Sequence, residues 1–431
     1  MKTNYDVIVA GGGFTGVAAA LAAARGGCEV LLIEETNALG GAACRSLVTP
    51  FMPYFTPINP KEGEAQKILS AGIFSELTKD LQQMAIQSHG KSNRAARIPM
   101  FEFSEEYLKL LLNRKMQEAG VKLLFHASVI GARQEAGEVK SITVFSGSTT
   151  LELTASTYID CTGDADLVAL SGFPFHLGRE ADHLCQPMTL CFRLGDVDIP
   201  KFKAKREQMQ KDYKEWQAQG KIKNIRENVL VFETISDTVL HFNTTRVIKY
   251  NPTDPEDVTK AEIEAREQVW EMFQFLRCCA GGCENATLLS TAMQIGVRES
   301  RMAEGEYILN VNDLLSCTKF EDGIAACNYD IDIHNPEGSG TSHYFFPKGE
   351  YYTIPYRCLI PKNAKNLLVA GRCISSDHEA QASYRIMPVV CTLGEAAGTA
   401  AAVAKASGKC TREISVSLLK EKLRQNGAVV D

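Results

Sequence analysis

The apolar pattern opens on a short run, YDVIVA at residues 5–10, that predicts a strand. A glycine-rich turn follows, then a helix of small residues (VAAALAAA) and a second strand, LLIEE, that ends in acids. Residues 46–63 are rich in Pro, Phe and Tyr and read as irregular, with a helix expected over 64–87. Apolar residues at helical spacing in SEEYLKLLLNRKMQEA predict a helix over 104–119, with Ser104 as its N-cap and Gly120 as its stop. Strands are expected at 121–126, 138–145 and 150–154, the last two as a hairpin. STYIDCTGDADLVAL at 156–170 reads as a strand, a small-residue turn and the start of a helix.

The texture changes between about residues 180 and 355. A highly charged stretch at 200–227 predicts an exposed helix, and 228–248 suggests strands. Pro252, Asp254 and Pro255 precede a helix expected at 256–278, and 286–293 reads as a short linker or helix. Asp330 to Tyr352 mixes aromatics with Gly and Pro, which suits an ordered active-site loop and a flexible surface loop equally. The first texture returns at residue 366, where NLLVAGR is a buried strand running into a glycine. PVVCTLGEAAGTAAAVAKA at 388–406 then predicts a helix with Pro388 in its first turn, where a missing N–H costs nothing. Gly394, Ala397 and Gly398 give that helix a face thin enough for close packing.

The turn GGGFTG carries chemistry. Gly11 makes the tight bend, Gly13 lets backbone approach phosphate, and Gly16 lets the helix pack on the strand. Free N–H groups at the helix start, at Phe14 and Thr15, suit an anion. Glu34 stands eighteen residues past Gly16, where an acid binds a ribose. A turn that merely joins two elements does not explain that acid. Together these residues predict a dinucleotide site.

Composition removes other classes. A net charge of -6 offers no basic field to nucleic acid or anionic lipid. The first strand starts too near Met1 for a signal peptide, and no apolar run reaches the ~20 residues of a membrane span, so a cytoplasmic protein is expected. The fourteen cysteines form no CxxC pair, and Cys278, Cys279 and Cys283 match neither zinc nor iron–sulfur spacing, so no metal is expected. The partners expected are a small-molecule substrate and either a second copy or a redox protein.

Three features favour FAD over NAD: the doublet Gly40-Gly41 soon after Glu34, the segment IDCTGDAD (Ile159 to Asp166), and the block from Leu367 through the helix at 388–406. On these residues the chain resembles FAD-dependent oxidoreductases of the glutathione-reductase-type fold. More narrowly, it resembles a bacterial group related to fumarate-reductase flavoproteins and the glucose-inhibited-division A proteins. The similarity covers the first 50 residues, 158–172, Gln294 to Arg301, and 354–401. It implies that Gly11, Gly13, Gly16, Gly41, Gly163 and Gly371 bind FAD, with Glu34 on the ribose and Asp164 and Arg372 beside the cofactor. Phe14, Thr15, Gly40, Cys44, Arg45, Val129 and Pro388 complete the expected cofactor set. The start of the Pro388 helix would face the flavin pyrimidine ring and favour negative charge there. The dithiol of the disulfide reductases is missing, because Cys44 has Thr49 where a partner would stand.

The fold expected is α/β: a Rossmann-like three-layer FAD-binding domain (parallel sheet, helices and a small β-meander) formed by 1–180 and 355–431. A mixed α+β substrate domain, 181–354, is inserted in it. A flavin needs groups that bind substrate and move a proton. Arg298 and Arg301, three apart in QIGVRESR, fall on one face of a helix or turn and suit a carboxylate or phosphate clamp; ordinary ion-paired arginines are the plain alternative. His334, His378 and Arg385 are the other catalytic candidates, set against structural or solvated roles. The activity expected is hydride transfer between flavin N5 and a small polar organic substrate. The rivals are an electron-transfer subunit that needs a protein partner and a tRNA-modifying flavoprotein, the latter disfavoured by the acidic balance.

Overall fold

A computed structural model describes residues 2–56, 67–89 and 102–430. The glycine turn joins β1 (Asn4–Ala10) to α1 (Phe14–Arg25), and β2 (Val30–Ile33) follows. Next come a single turn α2 (Ala42–Arg45), α3 (Ile73–His89) and α4 (Glu105–Glu118). The helix expected from residue 64 starts at Ile73; residues 57–66 lie outside the described residues. Strands β3 (Lys122–Leu124), β4 (Ala127–Glu135), β5 (Glu138–Ser146) and β6 (Thr149–Asp160) complete this half. β4 was not expected, and the strands expected at 150–154 and from 156 are one strand, β6.

That fusion organises the domain. Residues 149–153 of β6 pair antiparallel with β5, while 154–160 pair parallel with β1. On the other side of β6 lies the returning strand β17 (Leu367–Val369), again parallel. The parallel order is β3-β2-β1-β6-β17, with β4, β5 and the start of β6 as an antiparallel meander. Alternation along the strands makes three layers. Val7, Val9, Leu32, Ile159 and Leu368 pack with α1 and α10 (Met387–Ser407), whereas Ile8, Leu31, Ile33, Tyr158 and Leu367 pack with Ile142, Val144 and Leu153 of the meander.

The close approach of α1 and α10 is made by small residues. A Cβ on Gly394 would lie 2.0 Å from Thr15 O, and one on Gly398 would lie 2.1 Å from Ala19 O. α10 is, among the described residues, the one helix long and apolar enough to cross a membrane, and 94% of its apolar window is buried inside this fold.

Between the halves stand α5 (Asp166–Leu170), β7 (Phe175–Leu177), β8 (Phe192–Gly195), α6 (Ile199–Ala218), β9 (Val231–Glu233), β10 (Leu240–Phe242), α7 (Pro255–Cys279), β11 (Thr287–Thr291) and β12 (Arg301–Ala303). Asp198 and Asp254 cap α6 and α7 through their side chains, each with Pro in the first turn. The antiparallel sheet β11-β8-β10-β9 and these two helices share a second core formed by residues between Met188 and Ile295 together with Leu47. The charged helix expected to reach residue 227 ends at Ala218, and the linker or helix at 286–293 is strand β11.

After α8 (Val311–Leu315) the chain forms β13 (Gly323–Cys327), the hairpin β14 (Ile331–His334) and β15 (Thr341–Tyr344), and β16 (Tyr352–Pro355). The aromatic loop expected over 330–352 is therefore largely a hairpin. Ile324, Tyr352 and Ile354 pack into the first core, so this stretch, expected inside the insert, belongs by packing with the nucleotide half. α9 (His378–Tyr384) precedes α10, and α11 (Val416–Gln425) packs near the C-terminus.

Candidate active site

Two cavities meet between the cores. The first, of about 290 Å³, is lined by the glycine turn, Glu34, the Gly40-Gly41 doublet, Gly163, Asp164 and Gly371. Of the expected cofactor residues, Gly11, Gly13, Phe14, Thr15, Glu34, Gly40, Gly41, Arg45, Val129, Gly163, Asp164, Gly371 and Arg372 all line it.

Local chemistry fixes this wall. Gly11 has φ +98°, and a Cβ there would sit 2.4 Å from Cys161 O, so only glycine fits between the two strand ends. Gly13 differs: its φ is an ordinary -66°, and a Cβ would meet nothing nearer than Gly41 Cα at 3.8 Å. The missing side chain leaves open cavity where a phosphate can reach backbone. Gly40 N donates to Gly12 O (2.9 Å), tying the doublet to the turn. Glu34 is buried; its Oε2 accepts from Gly12 N (2.8 Å) and its Oε1 from Thr36 Oγ1 (2.7 Å). At the end of β6, buried Asp160 accepts from Thr162 Oγ1 (2.8 Å) and Val168 N (2.9 Å), which sets the turn bearing Gly163 and Asp164. Burial raises the Asp164 carboxyl, but the Arg372 guanidinium at 2.7 Å and a Ser300 hydroxyl outweigh it and hold it below the usual range.

Three expected cofactor residues lie off this wall. Gly16 packs on the turn, where a Cβ would strike Gly11 O at 1.8 Å. Cys44 is turned inward, its thiol 3.8 Å from Glu105 O, and burial pushes it up to about 12, so it is packing and not a nucleophile. Pro388 is buried in the first turn of α10, and its neighbours Met387 and Val390 face the cavity instead.

The second cavity, of about 460 Å³, lies on the side of the inserted core and shares Ala42, Arg45, Asp164, Gln294, Arg372, Arg385 and Met387 with the first. Arg298, His334 and Arg385 line it. Arg298 donates to Pro187 O and Thr189 Oγ1, both at 2.6 Å; burial, with the charges of Arg226 and Arg385, lowers it to about 9. His334 Nδ1 is 3.1 Å from Thr341 Oγ1 and its Nε2 is 3.5 Å from Asp332 Oδ2. Burial and the Arg298 charge lower its imidazole to about 3 despite Asp332. Arg385 donates to Asp332 O at 3.0 Å.

Two expected catalytic residues are not in this cavity. The segment 294–300 is irregular, not helical, so Arg298 and Arg301 part company. Arg301, on β12, donates to Asp164 O (2.7 Å), pairs with Asp166 and lies over the Phe175 ring. It positions the Gly163–Asp164 turn. His378 opens α9 and faces buried Glu299 at 2.7 Å, away from both cavities.

Sequence reasoning passed over Arg226, Glu227, Tyr329 and Asp332, which line the second cavity. Arg226 was read as part of an exposed charged helix. Instead, the chain turns inward after α6: Asn224 Nδ2 donates to Thr244 O (2.9 Å), Asn224 Oδ1 accepts from Arg226 N (3.1 Å), and Tyr213 donates to Arg226 O (3.1 Å). The one available signal was the pair Asn224 and Arg226 just before an apolar run.

The family model described as FAD dependent oxidoreductase matches residues 6–423. Among curated proteins, none matches the chain. Similar solved structures include a geranylgeranyl bacteriochlorophyll reductase-like protein of Thermoplasma acidophilum, at 12% identity and TM-score 0.49, covering 99% of this chain and 84% of that one. A myxobacterial chondrochloren halogenase (14%, TM-score 0.45, 99% and 79%) and a flavin-dependent brominase (12%, TM-score 0.45, 98% and 83%) are also similar.

Proposed function

The chain belongs to the FAD dependent oxidoreductase family, with FAD as its cofactor, and on that premise we propose that it transfers a hydride between flavin N5 and a small polar organic substrate held in the second cavity. One observation carries this reading: the dinucleotide cavity and the second cavity share the wall made by Arg45, Gln294, Arg372, Arg385 and Met387. A redox-active ring at that wall would face both. Gly11 to Thr15 would hold the pyrophosphate, Glu34 the ribose, and Gly41, Arg45 and Met387 the ring region. Bound FAD supplies the hydride acceptor or donor.

The chain's own residues do the rest. His334 is neutral at pH 7, because its shift to about 3 leaves the imidazole deprotonated. In that state it is a weak base; it would hold a substrate hydroxyl or amine by a hydrogen bond and orient it as the hydride leaves, and the released proton passes on to solvent. Thr341 and Asp332 orient its ring. Arg385 stands between the cavities and aligns the substrate against the shared wall.

The test is the visible spectrum of the purified protein under anaerobic titration with small acids, alcohols and sugars. Bleaching of the oxidised flavin bands by one class of substrate supports the reading. Flavin that is bleached only by a protein donor would overturn it in favour of an electron-transfer subunit. His334→Ala is expected to lower the rate of bleaching by about tenfold, the span of one hydrogen bond to substrate, while flavin content stays at the parent level. An unchanged rate would remove His334 from the chemistry.

A further inference from the structure

Two guanidinium groups of the second cavity are paired only loosely, or not at all, by its carboxylates. Arg298 is partly buried, and among the described residues it forms hydrogen bonds only to neutral oxygens and no ion pair. Arg226 is 4% exposed, and its Nε and Nη1 find no hydrogen-bond partner. The nearest carboxylate oxygen to Arg226, Glu227 Oε2 at 3.7 Å, lies closer to Arg246 Nη1, at 3.3 Å. The other oxygen of Glu227 accepts from Thr341 Oγ1 at 2.9 Å, so Glu227 is already engaged. A buried guanidinium with unpartnered N–H groups is costly, and its planar fork matches a carboxylate. Part of the wall is apolar, with Met52, Leu230, Phe232, Ile295 and Val297.

We propose that the substrate is an organic acid with an apolar body. Its carboxylate would sit between Arg226 and Arg298, its body on Leu230 and Phe232, and its reacting carbon at the wall near Arg385 and Met387. This rests on the reading of the second cavity as the substrate site. It replaces the Arg298–Arg301 clamp expected from spacing with a pair drawn from distant parts of the chain. A third cavity adjoins the site at Glu227, Asn228 and Leu230, and Arg206, Lys211 and Lys214 of α6 line it. Glu207 and Glu227 also line it, and the remaining excess of basic groups favours an anion arriving from the α6 side.

The experiment is a titration of the full-length, FAD-loaded protein with butyrate, hexanoate and benzoate, each against its amide, and with inorganic phosphate. Binding is read from the flavin absorption spectrum and from the melting temperature. The acids are expected to bind about tenfold or more tightly than their amides, the span of one lost charge-assisted hydrogen bond. Arg226→Met should lose about tenfold or more in acid affinity with flavin content unchanged, and Arg226→Lys should keep part of it. The comparison of acids with amides on the parent protein does not depend on any variant folding. The proposal is overturned if amides bind as well as acids, if no acid of the set binds, if phosphate binds as well as the acids, or if Arg226→Met retains full acid affinity. Acid binding without any bleaching by substrates would sink the hydride-transfer reading and leave the acid site standing.

Discussion

At Gly13 the backbone is in an ordinary conformation and the space beyond it is cavity, which separates ligand binding from folding at a single residue. Gly13→Asp would place a carboxylate where the proposed site holds the pyrophosphate, with no clash inside the protein. The expected outcome is loss of FAD with a melting temperature equal to that of the flavin-free parent. A fully yellow variant would remove this turn from the cofactor site. Gly11 offers no such separation, because its positive φ and the 2.4 Å approach to Cys161 O make any side chain a folding defect. The histidines divide in a similar way. His334 stands at the cavity with a strongly shifted imidazole, whereas His378 is spent on Glu299.

Among the elements, α10 does two jobs. Its small residues let α1 lie against it, and its buried Glu395 caps α3, accepting from Ile73 N at 2.9 Å. Burial raises the Glu395 carboxyl from its ordinary 4.5 to about 7. Between those values the folded chain binds more protons than the unfolded one, so the stability contribution is complete below pH 4.5 and is lost as pH rises through 7. Glu395→Gln keeps an acceptor for Ile73 N and removes the charge. It is expected to gain on the order of 2 kcal/mol at pH 8 and almost nothing at pH 4.5, read as melting temperatures at the two values. An equal effect at both pH values would show that the carboxyl does not titrate between them.

Across the whole molecule, the two adjoining cavities lie between two hydrophobic cores. Glu105 of α4 and Arg193 of β8 make a largely buried ion pair between them, with Nη2 to Oε2 at 2.7 Å. Arg193→Met would strand the Glu105 carboxylate, an expected loss on the order of 3 kcal/mol by denaturant unfolding. Pairing it with Glu105→Gln should recover much of that loss, because the uncompensated charge goes with it. Two independent, additive losses would mean that the pair does not couple the cores.

The sequence by itself determined the nucleotide half. The glycine turn, the small-residue helices and the acid at Glu34 obey local rules, since each is set by backbone geometry within a few residues or by one strand-helix-strand unit. The same local reasoning singled out Arg298, His334 and Arg385, which line one cavity, but misjudged their company. Arg301 seemed to share a face with Arg298 because helical spacing was assumed where the chain is irregular. Arg226 looked like part of a solvated charge run because nothing local tells of Thr244, whose carbonyl draws Asn224 inward and turns the loop toward the cavity. Which charges are neutralised is a property of distant chain segments packed together, and no short stretch of sequence carries it. The strand-helix-strand unit was legible because its interactions lie close in sequence; the cavity was not, because Arg226, Arg298 and Arg385 converge on it from three separate stretches of chain.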